Sequence, residues 1–226
     1  MTEPAEDVPP AVVPVFPLPE TVLFPGMILP LRVFEPRYLE MIEHCRAASP
    51  WLVVTLLKPG FAGDYFAAPE FHTVATLGKI LEFEPRDDGT VHIRVEGRFR
   101  VKLEEVPADT AYRSARITRM EEDSAWLDGE AGGRELSEVA RMALGVNLIR
   151  KKNHPGGTIP EATRDRMALV NTLAGSVPAD NTERQAFLEA SDYESRLRLV
   201  RDQVEILVNT IAALVRIPRP DDPKLN

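Results

Sequence analysis

Apolar and charged residues alternate strictly over residues 91–103. The apolar positions are Val91, Ile93, Val95, Gly97, Phe99, Val101 and Leu103. The positions between them hold His92, Arg94, Glu96, Arg98, Arg100 and Lys102. Because successive side chains of a strand point to opposite faces, the pattern predicts a long β-strand with one face on an apolar core. Gly97 predicts a bulge or bend in it, as a curled sheet requires.

Other short apolar runs predict the neighbours of this strand. Residues 73–84 form the first arm of a hairpin whose turn contains Asp88-Gly89, a pair that suits a tight turn. Pro30 and two further prolines place their strands at edges or bulges, because proline cannot donate to a ladder. The remaining predicted strands cover residues 11–16, 28–34, 51–57 and 112–120. Together they indicate a curled antiparallel sheet.

Helical periodicity takes over after residue 123. A helix is predicted over residues 134–151, and the last helix carries a heptad seam from Tyr193 to Leu214. That seam has two interpretations: burial within a bundle of the same chain, or a dimerising coiled coil. The predicted fold is therefore α+β. Residues 1–10 form an acidic, proline-rich disordered tail, residues 11–122 a β-barrel subdomain with one helix, and residues 123–226 a helical bundle.

Composition narrows the classes of partner. The formal net charge is −8 over 226 residues, and a protein this acidic should repel phosphate backbones, which argues against DNA. Cys45 is the single cysteine, which fits a reducing compartment. The acidic start of the chain does not resemble a signal peptide, and no apolar run approaches the roughly 18 residues of a membrane span. These features favour a soluble, cytoplasmic protein.

Motifs for catalysis, cofactors and metals do not appear in the sequence. A phosphate-binding loop around Gly78-Lys79 would need glycine and a hydroxyl residue where Thr73 and Ile80 stand. The four histidines lack the spacing of metal ligands, and no serine or cysteine lies in a recognisable nucleophile motif. We therefore expect no enzymatic activity, no cofactor and no bound metal.

Residues 15–38 resemble the opening signature of Lon protease N-terminal domains. Its central residues are Phe24, Pro25, Gly26, Pro30, Phe34, Glu35, Pro36, Arg37 and Tyr38. Residues 75–80, 95–101 and 184–197 are similar to later parts of the same domain. The resemblance implies a PUA-like β-barrel followed by a helical bundle. It also implies the role that this region has in Lon proteases, where it recognises substrates while the ATPase and peptidase lie further along the chain.

The expected function is thus a stand-alone, bacterial-type binding module for polypeptides, with a role as an adaptor in protein quality control. We expect the signature residues to be mainly structural. The candidate partner site is Phe61, Tyr65 and Phe66, three aromatics on a loop rich in glycine. The same three residues could instead cap one end of the barrel.

Two other functions stay open at this point. A PUA-like barrel with Arg94, Arg98, Arg100 and Lys102 on one strand face could bind RNA, although the acidic net charge favours an ordinary solvated face. An enzyme with an unmarked small-molecule pocket is the least favoured. The sequence leaves the oligomeric state undecided.

Overall fold

A computed structural model of the chain describes residues 8–61, 68–151, 165–178 and 180–216. The chain divides into two compact units. The sheet unit comprises Met1–Glu122 together with Ala179–Ala190, and the helical unit comprises Asp123–Pro178 together with Ser191–Asn226. The sheet unit therefore takes a short segment from late in the chain, which the sequence analysis placed in the helical bundle of residues 123–226.

Among the described residues, six strands form the sheet unit, at the positions that the apolar runs predict. They are β1 (Val12–Leu18), β2 (Ile28–Val33), β3 (Trp51–Leu56), β4 (Val74–Pro85), β5 (Val91–Val106) and β6 (Arg113–Arg119). Their order is β2-β5-β4-β3-β1-β6, and the sheet curls so that β6 also pairs with the second half of β5. The result is a curled sheet and not a regular closed barrel.

The prediction of a purely antiparallel sheet is wrong for one pair. Strands β1 and β3 run parallel, with Val15 opposite Val53. A parallel pair needs a crossover between its strands, and the intervening chain supplies one through β2 and helix α1 (Pro36–Ala47). Pro36 begins that helix, where its missing N–H costs nothing.

A bulge in β5 lets one alternating sequence contribute apolar side chains to two different core clusters. Leu77 of β4 pairs with Phe99 and Gly78 pairs with Gly97, so Arg98 is an extra residue between them. Before the bulge, Val95 and its apolar neighbours pack with α1; after it, Val101 and Leu103 pack inside the curl. An extra residue exchanges the faces of a strand, and the bend predicted at Gly97 is the place where this happens.

Helix α5 (Asn181–Glu189) covers the outer side of this sheet. Its Phe187 and Leu188 are buried, and Gln185 Nε2 donates to the carbonyl of Val74 in β4 at 2.9 Å. At its start, the Asp180 carboxylate accepts from the Glu183 amide, the N-cap that the sequence predicts. Residues 179–190 therefore complete the sheet unit.

The helical unit contains α2 (Ala125–Asp128), α3 (Glu130–Lys151), α4 (Arg166–Ser176) and α6 (Tyr193–Arg216). The first half of the predicted seam on α6, through Val204, is buried against α3 and α4. Inside this unit Arg196 is fully buried and donates to Asn171 Oδ1 at 2.7 Å. Within the described residues, none of the helices combines the length and apolar character that a membrane crossing requires.

Candidate functional site

The family signature begins with a tight turn against β5. Phe24 is fully buried, and Gly26 has φ 83°, a conformation that glycine adopts without strain. The Gly26 amide donates to the carbonyl of Gly97 at 2.8 Å. A side chain at Gly97 would collide with the Phe24 carbonyl, so the turn and the bulge fit only with glycine there. In this part of the signature, the contacts are with the chain's own core and with β5.

The second part of the signature fixes the start of α1. Arg37 donates to Glu35 at 2.9 Å with both side chains largely buried, and its guanidinium lies 4.6 Å from the centre of the Tyr38 ring. Tyr38 packs on Phe16 in the core between the sheet and α1. Burial raises the pKa of Tyr38, which keeps its phenol neutral. These contacts hold the helix in place.

Phe34 does not follow the expectation that the signature packs in the core, because 64% of its surface is exposed. Every second residue from Ile28 to Phe34 is exposed on the same side of β2; we call Ile28, Pro30, Arg32 and Phe34 the β2 row. Ile28 is 46% exposed. Leu29, Leu31 and Val33 face the core, so the period-2 pattern of the sequence already placed Phe34 on the opposite side.

The predicted aromatic loop is described only at its start. Phe61 is half-buried and packs on the cluster inside the curled sheet, a position that suits a cap. Tyr65 and Phe66 lie outside the described residues. The candidate loop therefore stays a prediction for those two aromatics.

The predicted basic face is not one continuous surface. Arg94 pairs with Glu82 at 2.6 Å and Arg98 with Glu96 at 2.8 Å, both near solvent, and Lys102 is exposed. Ion pairs of this kind leave little net positive charge on the strand.

Arg100 corrects that prediction, because it is fully buried and not on an exposed face. Its Nη1 donates to the carbonyls of Leu188 and Ala190, each at 2.6 Å, and its Nε lies 3.0 Å from Glu122 Oε1. The residue points to the outer side of β5, as the alternation predicts, but α5 covers it there.

The described residues offer little for catalysis. Cys45 is buried in the core, and burial raises the pKa of its thiol to about 12, so it is not a thiolate at neutral pH. Among the described residues, no three His, Cys, Asp or Glu side chains are grouped so that they could hold a metal ion. His44 Nδ1 of α1 forms a 2.7 Å hydrogen bond with the Tyr112 hydroxyl.

A curled six-stranded sheet joined to a set of helices, with the signature holding α1, defines a domain of the Lon N-terminal class. Residues 12–220 match the family described as the ATP-dependent protease La (LON) substrate-binding domain. The chain belongs to this family.

Curated relatives agree with this assignment. A Lon protease of Xanthomonas oryzae pv. oryzae is 27% identical over 194 residues, covering 83% of this chain and 22% of the relative. Lon protease 2 of Sorangium cellulosum is 30% identical over 195 residues, covering 83% and 24%. The Escherichia coli Lon protease is 26% identical over 210 residues, covering 91% and 26%. The chain thus spans about a quarter of the length of these relatives.

Solved structures show the same fold. The N-terminal domain of a Mycobacterium avium complex Lon protease matches with a TM-score of 0.64 at 20% identity, covering 86% of this chain and 98% of that one. A Lon N-terminal domain protein from Xanthomonas campestris matches with a TM-score of 0.58 at 22% identity, covering 92% and 99%.

Proposed function

We propose that this chain is a non-catalytic module that binds exposed apolar segments of polypeptides and acts as an adaptor in protein quality control. Membership of a substrate-binding domain family supports the binding role. The observation that carries the proposal is the β2 row, where Ile28 and Phe34 present apolar side chains outside the core.

Strand β2 suits an extended peptide for reasons of backbone geometry. Within the described residues it pairs on one side only, with β5. Pro30 has no N–H to donate, and proline is tolerated on a strand whose outer edge is free. A peptide along such an edge would gain main-chain hydrogen bonds, and alternate side chains would give selectivity. In the β2 row, Arg32 is paired with Asp88 at 3.0 Å and Ile28 and Phe34 are the exposed apolar groups, so the favoured segment is apolar.

The charge distribution supports polypeptides over nucleic acid. The net charge is −8, and the arginines of the predicted basic face are paired with Glu82 and Glu96 or buried. A nucleic-acid site would need several cations free to contact phosphates. We accordingly propose that the purified chain hydrolyses neither ATP nor casein and binds no DNA.

The test measures the binding of a labelled, permanently unfolded protein to the purified chain by fluorescence anisotropy. The double variant Ile28→Ser with Phe34→Ser should lose on the order of thirtyfold in affinity, since an aromatic anchor commonly supplies about 2 kcal/mol. Its melting temperature should stay unchanged because both side chains are exposed. Leu81→Ser is the matched control, since Leu81 is an exposed apolar residue on β4, outside the row.

Equal binding by the double variant and the control would remove the β2 row from the site. A second double variant, Tyr65→Ser with Phe66→Ser, then tests the predicted loop in the same assay. If Phe61→Ser lowers the melting temperature and leaves binding intact, Phe61 belongs to a cap of the curled sheet. If no variant changes the affinity and the unfolded protein still binds, the proposal survives only at another surface.

A further inference from the structure

A cavity of about 400 Å³ lies at the mouth of the curled sheet, on strands β3, β5 and β6. Trp51, Phe99, Val101 and Ile117 supply its apolar wall, and Arg98 and Arg119 lie beside them. Residues 8–11 complete the lining. We call this space the aromatic cavity. Its lining residues are distinct from those of the β2 row.

Trp51 places a polar indole N–H among these apolar residues, and the hydrogen-bonding capacity of that N–H is not used by the described residues. The residue is 1% exposed, and its indole Nε1 has no hydrogen-bond partner among the described residues. A buried donor normally has a partner, because leaving it unpaired costs free energy. The indole N–H can only donate, so what fits it is an acceptor.

Arg119 is a second donor at the same cavity. Its guanidinium lies 4.4 Å from the centre of the Phe99 ring, and within the described parts of the chain it makes no ion pair. Nearby, Arg98 is the extra residue of the β5 bulge, a device that re-aims side chains. Lys79 Nζ lies 5.7 Å from the centre of the Trp51 ring. Arg119 and Lys79 thus lie against the aromatic pair, and Arg98 is paired with Glu96 at 2.8 Å.

We propose that the aromatic cavity is a binding subsite for carboxylate-bearing segments of polypeptides supplied by other proteins. The inference rests on the proposed function, polypeptide binding, and adds a preference for acidic side chains next to apolar ones. A carboxylate accepts from the indole N–H and from the Arg119 guanidinium together, and charge-assisted hydrogen bonds are the strong ones. The apolar wall takes the aliphatic part of the segment.

The aromatic contacts argue against a nucleobase as the occupant. Trp51 and Phe99 stack on each other with ring centres 6.2 Å apart, and Arg119 and Lys79 lie over these two rings. Proteins that bind single-stranded nucleic acid present open ring faces on which bases stack. Here both rings already carry cations, while the indole N–H of Trp51 has no hydrogen-bond partner among the described residues.

The probe is a fluorescein-labelled peptide of alternating leucine and glutamate, compared with its leucine–glutamine analogue. The glutamate peptide should bind the full chain at least roughly tenfold more tightly, the effect of one or two charged hydrogen bonds. Raising the salt concentration should reduce the difference in affinity between the two peptides. Equal binding of the two peptides would overturn the proposal. A labelled oligouridylate that binds more tightly than the glutamate peptide would also overturn it, in favour of nucleic acid.

Three variants assign the preference to the cavity. Arg119→Gln should abolish the discrimination between the two peptides. Arg116→Gln, on the exposed opposite side of β6, should retain it. Trp51→Phe keeps the aromatic wall and removes the N–H, so discrimination should fall without loss of fold. Should Trp51→Phe unfold, the two arginine variants still decide. Retained discrimination in Arg119→Gln would refute the assignment.

Two further experiments distinguish this inference from the proposal for the β2 row and from an alternative occupant of the cavity. The Ile28→Ser, Phe34→Ser chain should bind both peptides more weakly but keep their ratio, so failure of the β2 row and failure of the cavity give different results. A chain lacking residues 1–7 tests the acidic residues Glu3, Glu6 and Asp7 as an alternative occupant. Unchanged affinity supports a segment from another protein. If the glutamate peptide binds better than the glutamine peptide only after the deletion, the chain's own tail occupies the cavity. That result would overturn the proposal.

Discussion

Replacing Arg100 by methionine should strongly destabilise the sheet unit and loosen α5. The guanidinium donates to the carbonyls of Leu188 and Ala190 and contacts the Glu122 carboxylate, whose side chain is only 12% exposed. Methionine replaces the aliphatic stem but none of the donors. Two carbonyls and one carboxylate would then lose their contacts with the guanidinium in a place that water hardly reaches.

The size of the effect follows from these three contacts. A hydrogen bond to a charged group contributes about 1.5–3 kcal/mol, and removing one partner of a buried ion pair costs about 3–5 kcal/mol. The two figures describe overlapping losses, so we expect a total of about 3–5 kcal/mol and not their sum. Against a typical domain stability of roughly 5–15 kcal/mol, such a change is large.

Urea unfolding measures the loss in the sheet unit. The chain has two tryptophans, so a Trp126→Phe background leaves Trp51 of β3 as the reporter. Arg98→Met is the matched control, because the Arg98–Glu96 pair is near solvent and such pairs contribute at most about 1 kcal/mol. Amide hydrogen exchange of residues 181–189 should rise in Arg100→Met alone.

Adding Glu122→Gln to the methionine variant removes the negative charge that the guanidinium faced and should recover part of the loss in stability. If Arg100→Met is no less stable than Arg98→Met, the buried contacts do not hold α5, and the reasoning fails.

Two further changes test other parts of the chain. Val204→Asp places a charge on the fully buried seam of α6 and should cost roughly 3 kcal/mol or more, whereas Val208→Asp on its exposed side should stay within about 0.5 kcal/mol. Equal melting temperatures would favour the coiled-coil dimer instead. Arg113 hydrogen-bonds Glu105 and lowers the pKa of its carboxyl, so the pair stabilises the fold above about pH 4.3 and is lost as pH falls through the lowered pKa. Glu105→Gln should therefore weaken the fall in the free energy of unfolding as the pH is lowered; an unchanged pH dependence would contradict this.

Much of the sheet could be predicted because its signals are local. The alternation in β5 marks the strand and its apolar side, and Gly97 marks the bend. The sequence does not reveal that β5 exchanges its faces after the bulge. Apolar residues continue at odd positions, while the core cluster that they contact changes from one side of the strand to the other. Only pairing with β4 distinguishes the two arrangements.

The candidate site was harder to predict because it depends on distant parts of the chain. Arg100 has the sequence pattern of a solvent-facing residue, and the segment that covers it lies 88 positions later. Trp51 has the pattern of an ordinary buried strand, and its missing acceptor is visible only in three dimensions. Phe34 is the exception, since counting by twos along β2 would have placed it outside.

The late position of α5 sets the order in which the protein can mature on the ribosome. Strand β6 ends at Arg119 and α5 begins at Asn181, so roughly 60 residues separate the finished sheet from its cover. At about 5–20 residues per second, a nascent chain waits on the order of 3–12 seconds with Arg100 uncovered. A proteolytic cut or a stop between these points would remove this cover from the sheet along with part of the helical unit. Premature termination there should therefore yield a sheet that aggregates or is degraded.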